Sequence, residues 1–590
     1  MASTCISCPS LAFTLPAHGR RIRNLQGLFQ KQLHSTQPKI MAHVTTNEPI
    51  IVRRSANYPP SLWSYDFLQS LTNNYVGEKY ETTLHSLREN VRRMITEDTT
   101  MESPLSTLEL VDDLQRLGIS YHFKDEINNV LKMIYTYYYE THEKWDKLDL
   151  NLKSLGFRLL RQHGYRIPQE IFEDIKDEMG NIKAYVGENI VGMLNLYEAS
   201  FLAVDDENVL DDAREFASKC LKETLEKNDN VDQSTLMLIT HALELPLLWR
   251  TQRFEAIWFI EAYKKRSNTK PLLLELAELD FNIVQGIHQE DLKYTSRWWN
   301  GLGWDKKLGF ARDRLVESFM WSVGACYEPP FGVVRRNITK LISLVNVIDD
   351  VYDVYGTLDE LEKFTRIVTS WDINAMEELP DYMKICFLGF YNTVNEMAYN
   401  TLTDQNLFVI PYLKKAWTEY CEANLVEAQW FNSRYTPTLE EYLKNSCVTI
   451  SLPAILSNII FFTSTDNITG EALQNIVHYS SMLLRLADDL GTASAELERG
   501  DIPKSIQCYM HETGACEEEA RAYINKLIME TWKKLNKERM LVGSHTTFTE
   551  CATNLGRMGQ FTYLHHADVF GTPDDTYKSH EMSLLFNPKS

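Results

Sequence analysis

The sequence predicts an all-α protein built as two helical domains, and three observations carry that prediction. From residue 60 onward apolar residues recur at helical spacing, as in "LRENVRRMI" (87–95) and "LELVDDLQRLGISYHF" (108–123), with little strand-type alternation. Glycine and proline punctuate the pattern where short helices should turn: Gly164 and Pro168 in "RQHGYRIPQEIF", Pro246 after "LITHALEL", and Gly356 after a long apolar run. The length of 590 residues exceeds one ordinary core and suffices to bury large cores without disulfide or metal staples.

The N-terminus sets itself apart. No Asp or Glu precedes Glu48, while Arg20, Arg21, Arg23, Lys31 and Lys39 are interspersed with Ser, Thr and small residues. That composition predicts a plastid or mitochondrial transit peptide over 1–47. A secretory signal fits worse, because the apolar "SLAFTLPA" is short and its basic residues follow it.

The first domain is expected over 48–265. Its acidic pairs in "AVDDENVLDDAREF" (203–216) suit solvated helix starts, where aspartate is favoured by the helix dipole. The polar stretch "KKRSNTKP" (264–271) marks the boundary, and Pro271 suits the first turn of a new helix. The second domain is expected over 271–590. Its apolar "ISLPAILSNIIFF" (450–462) is shorter than the roughly 20 residues a bilayer span needs and reads as a buried helix of a soluble protein.

The net charge of -21 and a pI near 5.3 exclude the concentrated basic surface a nucleic-acid or anionic-membrane partner needs. An anionic substrate must then be held locally. The ten cysteines lack zinc spacing and read as reduced, structural thiols.

Chemistry concentrates in the second domain. In "NVIDDVYDVYG" (346–356) Asp349 and Asp353 stand one helical turn apart with Asp350 beside them, after an apolar run containing Leu341, Leu344, Val345, Val347 and Ile348. Three carboxylates at the negative end of a buried helix repel one another and call for a cation. Oxygen-only donors without His or Cys suit Mg²⁺ or Mn²⁺. A second cluster, "LLRLADDLGTASAE" (483–496), spaces Asp488, Thr492 and Glu496 along one face over roughly 12 Å, with Asp489 on another side. Arg312, Arg314, Arg485 and Lys504 supply positive charge for a diphosphate, and Trp321 lies two turns after Arg314 on nearly the same face.

These residues resemble the plant class I terpene synthases over essentially the whole mature chain. "DDVYD" matches the family's DDxxD motif, "DDLGTASAE" its second metal motif, "RDR" (312–314) its arginine motif, and "RRSANYPPSLW" (53–63) the RRx8W motif of the monoterpene-forming branch. The resemblance implies a C-terminal class I α-bundle with an N-terminal α-barrel-like domain. It implies three Mg²⁺ or Mn²⁺ ions on Asp349, Asp353, Asp488, Thr492 and Glu496 with Asp350 assisting, and a diphosphate held by Arg312, Arg485 and Lys504. Trp321, Phe570 and Tyr563 correspond to pocket aromatics, and Arg53, Arg54 and Trp63 to an N-terminal cap. The implied activity is plastidial conversion of geranyl diphosphate, isomerised through a linalyl form, to a monoterpene and diphosphate.

Two stretches depart from the family pattern, "LHHADVFG" (564–571) and a shortened lead into the second metal motif, and both bear on pocket shape. Ile342, two turns beneath Asp349, is expected to line the pocket and offers no group for water, while Asn346 sits nearer the metals and can orient one. An olefin product is expected on that basis, with a monoterpene alcohol as the alternative. A sesquiterpene synthase using farnesyl diphosphate is the nearest rival. A class II cyclase lacks its DxDD here, a chain-elongating prenyltransferase would carry two aspartate-rich motifs, and a non-catalytic helical partner would have no use for intact metal motifs.

Overall fold

A computed structural model describes residues 53–97, 104–145, 147–179, 182–227, 231–463, 470–542, 546–565 and 568–589. The expected transit segment lies outside them. The fold is all-α: among the described residues the sole β feature is one antiparallel bridge between Lys176 and Ile182.

Residues 53–64 run as an extended strap into α1 (Tyr65–Ser70), which starts where the Ser64 hydroxyl accepts the Phe67 N–H. Leu68 of α1 is buried in the core of the C-terminal half, so the chain begins by lying across the bundle it later forms. The following helices, including α2 (Leu150–Gln162), capped by Asp149, and α3 (Ile190–Ser200), enclose a separate core from Leu87 to Phe281.

The polar stretch 264–271 turns the chain into α4 (Pro271–Leu302), a helix roughly 48 Å long that starts on proline. Leu273, Leu276, Ala277 and Phe281 belong to the N-terminal core, whereas Val284, Leu292 and Trp299 belong to the C-terminal one. This helix is therefore shared by both cores.

Around the second core stand α5 (Leu315–Ala325), α6 (Gly332–Asp350), α7 (Ile410–Ser433), α8 (Leu439–Thr449), α9 (Leu452–Ile459), α10 (Gly470–Arg499), α11 (Thr547–His565) and α12 (Asp575–Glu581). By length and composition Leu439–Phe462 would pass as a membrane span. It is nonetheless broken: Ser451 takes φ 68°, Pro453 follows in the first turn of α9, and most of the run packs inside the protein.

The helix carrying the first acidic motif ends at Asp350 and continues as a π-turn, Val351–Tyr355. Gly356 closes it in an extended conformation, not a left-handed one. Its glycine character has a steric cause, since a Cβ there would lie 2.6 Å from Leu361 and 2.7 Å from the Val351 carbonyl oxygen.

Candidate active site

At the first motif, Asp349 and Asp350 part company. Asp349 stays partly exposed and pairs with the Arg312 guanidinium. Asp350 is fully buried, accepting the Arg312 backbone N–H at 2.8 Å and facing that guanidinium at 3.0 Å. Its expected part as an assisting metal donor is not what the structure presents: the carboxylate is turned inward and positions Arg312. Burial pushes it up to about 6 against the pull of Arg312. The Tyr58 ring of the strap lies 5.1 Å from the guanidinium, completing a buried wall.

Asp353, in the π-turn, is pushed well up by burial and then by the charge of Asp349, with Glu427 and Asp501 adding to it and Lys504 opposing. In the second motif, Asp488 pairs with Arg485, and the Thr492 hydroxyl donates to the Asp488 carbonyl at 2.9 Å. The Glu496 side chain lies outside the described set. Asp489 is fully buried, pairing with the same Arg485 at 2.7 Å and accepting Tyr442 Oη–H at 2.9 Å and the Ser505 N–H at 3.1 Å.

The two motifs meet across a residue that motif reading misses. Glu427 of α7 is buried, accepts from Thr449 Oγ1 at 2.7 Å and Asn445 Nδ2 at 3.2 Å, and feels Lys504, Arg485 and Asp349 together. Burial pushes its carboxyl up. The available signal is positional: Glu427 continues the buried stripe of Tyr420, Asn424 and Ala428, where a charge has no ordinary reason to be.

Arg312, Arg485 and Lys504 thus stand beside carboxylates of the two motifs. Arg314 does not join them. Expected at the diphosphate, it is instead fully buried, with its N–H groups donated to the carbonyls of Pro59, Asp313, Phe570 and Gly571 at 2.8–3.1 Å. It staples the strap to the C-terminal loop, because the turn before α5 points Arg312 and Arg314 to different sides.

Trp321 of α5 lies 5.6 Å from Phe570, in the turn after α11, and 6.3 Å from Tyr563 of α11, ring to ring, so segments distant in sequence build one aromatic wall. Residues 566 and 567 of the altered C-terminal stretch lie outside the described set. Ile342 and Asn346 are both buried on α6, two turns and one turn before Asp349. The Asn346 Nδ2 has no hydrogen-bond partner among the described residues.

The strap is tied down along its length. Arg53 grips Glu360, and Arg54 donates to the Asp353 carbonyl at 2.9 Å and to Asp501 at 3.3 Å. Trp63 donates to Glu581 at 2.8 Å and packs on Phe586 at 4.8 Å. All three predicted cap residues therefore contact the catalytic half.

Among the described residues no three His, Cys, Asp or Glu side chains close on one point. The oxygen donors form two half-sites, Asp349 with Asp353 and Asp488 with Thr492. That fits Mg²⁺ or Mn²⁺, which complete their shells with water and substrate phosphate.

Residues 62–243 match the family model described as the terpene synthase N-terminal domain, and residues 300–534 match the terpene synthase metal binding domain. A chloroplastic R-linalool synthase of Artemisia annua is 53% identical, over 94% of this chain and 98% of its own. A limonene synthase crystallised with 2-fluorolinalyl diphosphate superposes with a TM-score of 0.87 at 43% identity, covering 91% of this chain and 100% of that one. Isoprene synthase from Populus x canescens, in complex with three Mg²⁺ ions and dimethylallyl-S-thiolodiphosphate, gives 0.80 at 43% identity over 90% and 99%. Matched by both family models and by a relative 53% identical over 94% of its length, this chain belongs to the terpene synthase family.

Proposed function

We propose that this protein is a plastidial monoterpene synthase that ionises geranyl diphosphate and releases a monoterpene and diphosphate. The observation that carries the reading is the strap bearing both arginines and the tryptophan of RRx8W, which ties Arg54 to the carbonyl of Asp353 in the first acidic motif and Trp63 to Glu581 of the same helical half. The acidic-poor N-terminus and the chloroplastic relative support the compartment.

Asp349, Asp353, Asp488, Thr492 and Glu496 would hold the divalent ions, three by analogy with isoprene synthase. Bound there, the ions supply the charge that stabilises a departing diphosphate. Arg312, Arg485 and Lys504 bind and orient that diphosphate, with Asp350 fixing Arg312. The ring faces of Trp321, Phe570 and Tyr563 stabilise the allylic cation by up to about 2 kcal/mol in a dry pocket. Tyr58 and the strap keep water out, so the cation is not simply quenched.

Termination has two readings. The apolar Ile342 favours proton loss to an olefin. The unpartnered Nδ2 of Asn346 and the linalool-forming relative favour capture of one positioned water to give an alcohol. Incubation with geranyl and farnesyl diphosphates, each with Mg²⁺ or Mn²⁺, followed by gas chromatography, tests substrate, metal and product together. Negligible turnover of the C10 substrate would overturn the proposal.

A further inference from the structure

Where the strap meets the catalytic bundle lie two carboxyl groups that no step above uses. Glu317, in the first turn of α5, and Glu581, the last residue of α12, are both fully buried. Among the described residues no side chain donates to either oxygen of Glu317, whose nearest donor is its own backbone N–H, and none donates to Oε1 of Glu581. The remaining oxygen, Oε2 of Glu581, accepts the Trp63 indole N–H. Such under-satisfied buried acceptors need a donor, and a proton on one of the two carboxyls is the smallest that serves.

The surrounding charges lead to the same conclusion. Facing the pair are Arg314 and Asp313 from the turn before α5, Tyr577 and Lys578 from α12, and Trp63 from the strap. Arg314 balances one negative charge, although its N–H groups are spent on backbone carbonyls. Lys578 is exposed, with its Nζ 5.9 Å from the Trp63 ring. Asp313 adds negative charge rather than relieving it. A second buried carboxylate therefore finds no further counter-ion among the charges that face the pair in the described residues.

We propose that Glu317 and Glu581 hold one proton between them, and that this pair is a positioning device fastening Trp63 of the strap to the wall that carries Trp321. Trp321 follows Glu317 by one helical turn on the same face, and buried Tyr577 faces both carboxyls and the Trp321 indole. The path Trp63, Glu581, Glu317 and Tyr577, Trp321 thus joins the cover of the site to its aromatic lining.

Burial pushes both carboxyls up, Glu317 to about 7, and the charge of Glu317 helps push Glu581 to about 9. With the strap released and the pair solvated, both carboxyls return toward the ordinary range. The docked state therefore binds more protons, and docking weakens as pH rises through the pair's range. Loss of that proton places two like charges in one compartment and loosens Trp63.

Hydrogen–deuterium exchange of the full-length protein, read by mass spectrometry and corrected for intrinsic chemical rates, tests this independently of turnover. Failure of the proposed reaction would leave its result standing. The segment 58–70 should exchange at least about threefold faster near pH 9.5 than near pH 6.5. Glu581→Gln keeps an acceptor for Trp63 but is permanently neutral, so it should remove that dependence. Glu317→Gln should do the same from the other side, which covers a Glu581 variant that fails to fold. Trp63→Phe should exchange fast at every pH. A flat wild-type profile, or wild-type pH dependence surviving in a folded Gln variant, would overturn the proposal.

Discussion

Nη1 and Nη2 of Arg53 each lie 2.8 Å from an oxygen of Glu360, across 307 residues of sequence. The same carboxylate caps the helix Leu358–Ser370 through the Thr357 N–H and accepts the Tyr382 hydroxyl at 2.9 Å. Arg53 also lies 4.7 Å and 4.8 Å from the rings of Tyr355 and Tyr382. The strap is thereby anchored to the turn that follows the first acidic motif.

Arg53→Lys should therefore cost more than a conservative exchange, because an ammonium does not reproduce the two-pronged grip or the stacking. A fall in kcat/KM of about tenfold is expected, or about 1.4 kcal/mol. Burial pushes Glu360 up, but Arg53, the Thr357 N–H and Tyr382 outweigh it and hold the carboxyl at about 2. A depressed carboxyl contributes stability above its unfolded value, and that contribution is lost as pH falls toward about 2. Exchange of residues 53–57 should thus be constant above about pH 5 and rise only in acid.

Asp353→Asn should abolish turnover while stabilising the protein in EDTA. The carboxyl is pushed well up by burial, Asp349, Glu427 and Asp501, so its contribution to stability is lost as pH rises through the folded pKa. Removing the charge should raise Tm by about 2–4 °C at about pH 8, with the gain disappearing in acid. Calorimetry against pH checks it, and an unchanged Tm would count against crowding of these carboxylates.

Glu427→Gln should leave helical circular dichroism intact, since Gln can still accept from Thr449. It should raise the Mg²⁺ concentration for half-maximal activity by about tenfold, because negative charge between the two half-sites is lost. Titrating activity with metal at saturating substrate is the measurement, and an unshifted curve would confine Glu427 to packing.

Ile342→Asn should raise the share of alcohol or ether products, and Asn346→Leu should lower it, each by about threefold, since branching responds tenfold to about 1.4 kcal/mol. Gas chromatography of the two variants side by side reads the ratio. Unchanged profiles from both would remove these positions from the pocket wall.

Much of this was legible without coordinates. Periodicity without strand alternation carried the fold class, and the two acidic motifs stood out as candidates because metal chemistry needs particular side chains at helical spacing. Less legible was which way each side chain turns. Asp350 and Arg314 sit inside the motifs yet serve as a buried bracket and a staple, because helix phase and loop path set their direction.

The sequence by itself determined the helices, the acidic half-sites, the arginines of the strap and the aromatic residues, since each is a local pattern or a residue type that its chemistry requires. Only the tertiary structure decided that Glu427 joins the half-sites, that α4 serves both cores, and that Trp63 meets Glu581 beside a buried Glu317. Those relationships are contacts between segments far apart in sequence. They arise from burial and charge balance in the packed state, which local spacing does not encode.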